Sequence, residues 1–129
     1  MATQPRLPHT LPSPKAAREA LVAARKRVRA AVGDLAVLAE AHKGAREMMA
    51  GADAERAAAA DDLEHAPDDA GASTRYLAAV ENLRARRLTV DGSLSAVAEA
   101  RKLLRAAERA REACDEDLLA IAHGRRGEN

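Results

Sequence analysis

The feature that most constrains the fold of this chain is a pair of mostly apolar rows that repeat every seven residues. The first row is Leu21, Val28, Leu35, His42, Met49, Arg56 and Leu63, and the row three residues further on is Ala24, Ala31, Leu38, Ala45, Ala52, Ala59 and Ala66. Rows with this spacing occupy the a and d positions of a heptad, which face a neighbouring helix. The pattern predicts a helix over residues 14–66, capped by Ser13 and opened by Pro14.

The same period returns in the second half of the chain. Its first row is Tyr76, Leu83, Val90, Val97, Leu104, Arg111 and Leu118, and its companion row is Ala100, Ala107, Cys114 and Ile121. Ser73 or Thr74 is suited to cap this segment, and His123-Gly124 is suited to end it. We therefore predict a second helix over residues 74–122, within a helical hairpin of residues 14–123, and a frayed tail over 124–129.

The stretch from Pro67 to Ser73 is the strong break between the two helices, because Pro67 stops the first of them. A turn this short folds the second helix back as an antiparallel neighbour. The fold-back places the mostly basic residues 15–32 beside the mostly acidic residues 108–117. It also places an acidic pair beside a basic run: Asp53 and Glu55 beside Arg84, Arg86 and Arg87. Together these patterns predict a register in which the numbers of paired residues sum to about 140.

Glycines are the weak points of both predicted helices. Gly33, Gly44 and Gly51 lie inside the first helix, and each costs about 1 kcal/mol relative to alanine. A bend or local break near residues 44–51 is therefore the alternative to one straight helix. Asp91-Gly92-Ser93 is the corresponding stretch of the second helix, and we interpret it as helix interior.

The composition indicates an all-α fold with a thin core. Hydrophobic residues make up 47% of the chain but aromatic residues only 1%, so alanine supplies much of the apolar content, which favours long, closely packed helices. We predict a long, antiparallel, coiled-coil-like two-helix hairpin. Such a hairpin leaves apolar side chains outside its seam uncovered. These are Val22, Val32, Val37, Met48, Leu77, Leu88, Leu103 and Leu119.

Those uncovered residues predict self-association into a dimer or a larger helical bundle, or docking on another helical protein. Scattered apolar residues are also ordinary on protein surfaces, so the pattern alone leaves both interpretations open.

Residues 1–13 form a separate segment with three prolines, Pro5, Pro8 and Pro12, which prevent a regular helix. We predict an extended arm. Its Leu7 and Leu11 are candidates for docking into a groove of a partner, and Pro5-Arg6-Leu7-Pro8 matches the PxxP pattern. A disordered tail is the simpler alternative.

No catalytic, cofactor-binding or metal-binding pattern is present in the sequence, so we predict a protein that is not an enzyme and has no cofactor. There is no HExxH, no phosphate-binding glycine loop, no CxxC and no Glu-x-x-His pair. His42 lies in the seam, where a polar residue more often sets register than binds a ligand. Cys114, the only cysteine, is predicted to pack in the seam.

Charge and hydropathy disfavour nucleic acid and membrane as partners. The chain holds 21 basic and 20 acidic residues, and its basic runs, Arg25 to Arg29 and Arg84 to Arg87, lack the aromatic residues on which single-stranded bases stack. No apolar run is long enough to span a bilayer, and prolines interrupt the segment where a signal peptide would lie. We predict a location in the cytoplasm or within a virion or other particle. Signal-independent secretion is left open.

The function most compatible with these features is that of a structural, scaffolding or adaptor protein in a bacterial or phage assembly. The alternatives are a nucleic-acid-associated helical protein and a small secreted hairpin effector. The second alternative follows from topology, since a small antiparallel helical hairpin resembles the WXG family of secreted bacterial proteins. Asp69-Ala70-Gly71 stands where that family has Trp-x-Gly, and Val80 stands where its export signal has an acidic residue.

Overall fold

The chain folds into two helices that follow one another directly. A computed structural model describes residues 10–127, with side chains to residue 124. Helix α1 spans Pro14–His65 and helix α2 spans Ala70–Gly127. The described residues contain no strand. The predicted all-α helical hairpin is thus confirmed.

The hairpin divides into two compact units. One is the continuous segment Gly33–Lys102, and the other combines residues before Gly33 with residues after Lys102. In the continuous unit the two helices are antiparallel neighbours, and its core consists of Ala52, Ala72, Leu83, Val97 and Ala100.

The second unit has a core of the same character. Ala17, Leu21 and Ala24 are buried on its α1 segment, at the spacing of successive turns on one helix face. On its α2 segment the seam residues Cys114, Leu118 and Ile121 are half-buried.

The heptad rows predicted from the sequence are the covered positions of both helices. Every residue of the two α1 rows, from Leu21 to Ala66, is buried or half-buried, and so is every residue of the two α2 rows, from Tyr76 to Ile121. Two cross-helix contacts fix the register of the continuous unit: His42 lies against Ser93 and Met48 lies against Arg86. Their numbers sum to about 135, close to the predicted 140 but shifted by a little more than one helical turn.

Helix α1 begins and ends with side-chain capping. The Oγ of Ser13 accepts a hydrogen bond from the amide of Ala16 at 3.1 Å, as expected of an N-cap residue that precedes a proline. At the other end, the Nδ1 of His65 lies 2.8 Å from the carbonyl oxygen of Asp61. This contact adds a side-chain donor to a carbonyl in the last turn of α1, a position at which basic side chains are favoured.

Helix α2 begins at Ala70 and not at the predicted residue 74, because Asp69 provides the cap in place of Ser73 or Thr74. The Oδ1 of Asp69 accepts a hydrogen bond from the amide of Gly71 at 2.9 Å, and its carbonyl accepts one from the amide of Ser73 at 3.2 Å. The hydroxyl of Thr74 bonds back to the carbonyl of Ala70 at 3.0 Å, which places Thr74 inside the helix. The turn is accordingly shorter than predicted.

Glycines do not interrupt either helix. Helix α1 is continuous through Gly44 and Gly51, so the alternative of a break there does not apply, and Gly92 is interior to α2 as predicted. Helix α2 does not end at His123-Gly124 as predicted but continues to Gly127. No described glycine takes the positive φ of a glycine cap. Residues 128 and 129 of the predicted frayed tail lie outside the described part of the chain.

Candidate interaction surfaces

The eight apolar residues predicted for self-association are all exposed. Their exposed fractions run from 50% for Val32 to 70% for Val37. Leu94, which the sequence reading did not single out, is 51% exposed and belongs with them. Their accessibility therefore agrees with the prediction, and association itself stays a prediction.

Position in the heptad shows that the structure does not bring these apolar residues together. In the unit 33–102, Val37 and Met48 lie at positions c and g, on one side of the seam. Leu77 and Leu94 lie at positions b and e, on the other side, and Leu88 lies at position f, which faces away from the seam. The exposed residues thus belong to several surfaces.

A groove beside the turn shows which side of the hairpin positions g and c occupy. It has a volume of about 420 Å³ and lies between the helices of the unit 33–102, with four lining residues from each helix. They are Glu55, Ala58, Ala59 and Asp62 from α1, and Arg75, Ala78, Ala79 and Asn82 from α2. The half-buried Ala59 and Ala79 form the floor. The carboxylates of Glu55 and Asp62 form the α1 rim, and the guanidinium of Arg75 and the amide of Asn82 form the α2 rim. We call this the turn groove.

The same side of the hairpin continues away from the turn with a stretch whose g and c positions hold no charged residue. These residues are Val37, Ala41, Gly44, Met48 and Gly51 on α1, and Ala85, Thr89, Gly92 and Ala96 on α2. We call these nine residues the uncharged face. All are exposed or half-buried. The one hydroxyl among them, that of Thr89, donates a hydrogen bond to the carbonyl of Ala85 at 3.2 Å. The hydroxyl proton is therefore satisfied within the helix. The stretch is bounded by charged residues at the next g and c positions, Asp34 and Glu99, and the guanidinium of Arg86 reaches Met48 from the seam.

The opposite side of the same unit is charged. Its b and e positions include Lys43, Arg46 and Asp53 on α1, and Arg84, Arg87 and Asp91 on α2. A shallow depression of about 430 Å³ on this side is lined by five residues of α1 alone, Lys43, Arg46, Glu47, Met49 and Ala50. Since 32% of the chain is charged, the difference between the two sides is large.

The predicted pairing of Asp53 with the basic run of α2 does not form. The carboxylate of Asp53 pairs instead with Arg56 of its own helix, with 3.1 Å between Oδ1 and Nη2. The guanidinium of Arg86 lies 3.8 Å from the Sδ of Met48. The shift of register relative to the predicted sum accounts for the change of partners.

A polar contact crosses the seam at the position where His42 interrupts the apolar row. The Nδ1 of His42 lies 2.7 Å from the Oγ of Ser93, and that hydroxyl donates to the carbonyl of Val90 at 2.9 Å. Because a hydroxyl has one hydrogen to donate, the Nδ1 of His42 carries the proton of the shared bond. His42 therefore fixes which residue of α2 lies opposite it.

The remaining predicted residues are not brought into a common site. Leu11 of the arm is 42% exposed, whereas Leu7 lies outside the described residues. Cys114 is a half-buried free thiol. Within the described part of the chain, no group of three or more His, Cys, Asp and Glu side chains is arranged to hold a metal ion. No described helix is apolar and long enough to cross a membrane.

Sequence reasoning found the exposed apolar residues but missed the uncharged face and the turn groove. Most of their residues are alanine and glycine, which contribute little to a count of large apolar side chains. The available signal was the absence of charge at the g and c positions of residues 37–51 and 85–96, read together.

No protein-family model matches the sequence, and no curated protein or solved structure is significantly similar to the chain.

Proposed function

We propose that this protein is a non-enzymatic structural or adaptor protein, which works by packing its helices against the helices of a partner. The observation that supports the proposal is the uncharged face, a stretch of nine g and c positions in the unit 33–102 that hold uncharged residues such as Val37, Met48 and Ala85, where the opposite side carries charges. Helical proteins dock on one another through faces of this composition. The proposal includes a place in a bacterial or phage assembly, where such a surface would bind a neighbouring component.

The energetics of the exposed side chains favour docking. Val37 and Met48 are 70% and 52% exposed, and covering a side chain of this size contributes about 1 to 2 kcal/mol. The small residues around them allow a partner helix to approach to the closer end of the usual interaxial range, about 8 Å.

Photo-crosslinking tests the proposal directly. A photoreactive residue at Thr89 lies on the uncharged face, and one at Arg87 lies on the charged side as the matched control. We expect protein adducts from position 89, in the purified chain or in cells of its natural source, and few from position 87. Absence of adducts from position 89 in both settings would contradict the proposal.

A second candidate function, contact with nucleic-acid phosphates, has one observation in its favour. Arg25, Lys26, Arg27 and Arg29 are all exposed. Filter binding of duplex DNA and RNA at low and moderate salt tests it, with glutamine at all four positions as the comparison. Retention at low salt that falls both with salt and with the substitutions would support it, and no retention at low salt would remove it.

A further inference from the structure

We infer that the uncharged face and the turn groove together bind a second copy of this chain, with α1 of each copy packed against α2 of the other. The inference rests on the proposed function and deepens it by naming the partner and the surface. Two hairpins joined in this way form a four-helix arrangement with both turns at the same end.

Charge complementarity in the turn groove identifies the second copy as the occupant. The α1 rim carries Glu55 and Asp62, and the α2 rim carries Arg75 and Asn82. The guanidinium of Arg75 lies 3.9 Å from the carboxylate of Asp69 in its own chain, and both side chains stay more than half exposed. A two-fold axis parallel to the helices lays the α1 rim of each copy on the α2 rim of the other. The groove then meets its own copy with carboxylates opposite a guanidinium and an amide, a self-complementary pairing of the kind that a two-fold interface requires.

The same charges select among the possible face-to-face arrangements. A two-fold axis perpendicular to the helices and passing through the groove would lay α1 on α1 and oppose Glu55 and Asp62 to the same carboxylates of the second copy. Like charges brought together at an interface are destabilising. A perpendicular axis midway along the uncharged face would instead separate these carboxylates from one another, but it would still lay α1 on α1 and leave them without Arg75 of the second copy opposite them. The arrangement with both turns at one end is therefore the favoured one.

Glycines on the uncharged face give a second, independent reason for close approach by another chain. Gly44, Gly51 and Gly92 all lie on this face, and a Cβ added to any of them would meet nothing within 4 Å. Packing within the chain therefore does not require glycine at these positions, although glycine costs about 1 kcal/mol relative to alanine in a helix interior. The lack of side chains at these three positions lets a second backbone approach this face closely.

Exposed apolar residues continue the surface beyond the groove. Val37 and Met48 lie on the same side as the groove, and the stretch from Val37 to Asp62 rises about 38 Å along α1 at 1.5 Å per residue. An interface of this length combines apolar side chains, Val37 and Met48, with the charged side chains at the turn end, and specific protein–protein contacts likewise combine apolar and polar areas.

The first experiment measures the mass of the full chain by sedimentation equilibrium over a range of concentrations. We expect a dimer. Ala41→Arg, which places a charge on the uncharged face, is expected to raise the dimer dissociation constant by at least about tenfold, because an unpaired charge is buried. Ala54→Arg, at the outward f position, is the matched control and should leave the constant unchanged. Circular dichroism checks that both variants remain helical.

A charge exchange tests the pairing across the turn groove. Asp62→Arg alone should weaken the dimer, because it opposes Arg75 of the second copy. Adding Arg75→Asp should restore the dissociation constant to within a few-fold of its original value. Equal weakening by the double variant would overturn the pairing.

Electron–electron distance measurements test the orientation of the two copies. A spin label at Asp68→Cys, in a Cys114→Ser background, marks the turn. One short distance between labels is expected, and a long distance would overturn the arrangement with turns at one end.

The outcomes separate this inference from the proposed function. A chain that is monomeric at high concentration but crosslinks to another protein through position 89 would overturn the inference and leave the proposed function standing. A dimer that Ala41→Arg does not weaken would overturn the surface assigned here. A monomer without crosslinks would overturn both.

Discussion

Leu83 and Leu88 are five residues apart on α2, and their surroundings are opposite. Leu83 lies in the seam and is 4% exposed, whereas Leu88 lies at an outward f position and is 69% exposed. The two residues have the same side chain and the same helix propensity. The difference shows that heptad position decides what a residue contributes to this fold. Ala52 and Ala54 make the same comparison on α1, one buried in the seam and the other exposed at position f.

The largest expected effect is the loss of a seam leucine. Leu83→Ala should lower the free energy of unfolding by about 2 to 5 kcal/mol, because it removes buried methylene groups and leaves a cavity. Leu88→Ala should change it by no more than about 0.5 kcal/mol. Urea denaturation followed by circular dichroism measures both. Equal losses of stability would show that Leu88, at its outward f position, is buried as well.

The next effect comes from adding volume to the seam. Ala52→Leu forces a large side chain into a buried position of 3% exposure, and should destabilise the chain by about 1 to 3 kcal/mol. Ala54→Leu adds the same volume at an outward f position and should leave the stability almost unchanged. Thermal melting distinguishes them, and a neutral Ala52→Leu would contradict close packing of the helices there.

A smaller effect is expected from the polar contact inside the seam. Ser93→Ala removes the partner of His42 and should cost about 0.5 to 1.5 kcal/mol, the usual net value of one hydrogen bond. A double-mutant cycle with His42→Ala isolates the pair, since the coupling energy is nonzero only when the two side chains interact. A coupling energy of zero would remove the register-fixing role of His42.

The smallest expected effect is an increase in the free energy of unfolding, and it comes from a substitution at an outward f position. Gly33→Ala adds a methyl group where nothing lies within 4 Å, so it should stabilise the chain by about 0.5 to 1 kcal/mol through helix propensity alone. The measurement is again urea denaturation. A destabilised Gly33→Ala variant would indicate a contact at position 33.

The fold was predictable from the sequence because the seam repeats over both helices. Fourteen α1 positions in two rows carry enough apolar side chains, from Leu21 to Ala66, to override the interruptions at His42 and Arg56. The start of α2 was less predictable. Asp69, Ser73 and Thr74 are all good capping residues, and local propensity does not rank them.

The surfaces were only partly predictable. A large side chain outside the seam, such as Val37, indicates exposure by itself. The uncharged face emerges only when both helices are placed in register, since its evidence is the absence of charge at positions that come from separate parts of the sequence. The ion pairs were the least predictable, because Asp53 has a partner within reach on its own helix, Arg56, and a shift of about one turn changes every pairing across the seam.

The short turn between His65 and Ala70 also orders events during synthesis and folding. As the chain is made, α1 is complete before any of α2 exists to pair with it. The first residues of α2 to emerge complete the continuous unit 33–102, which closes through a short loop. Residues 14–32 find the other part of their unit only after the chain beyond Lys102 has been made. Within the hairpin they are therefore unpaired for the longest time and are the segment most exposed to a chaperone or a premature contact.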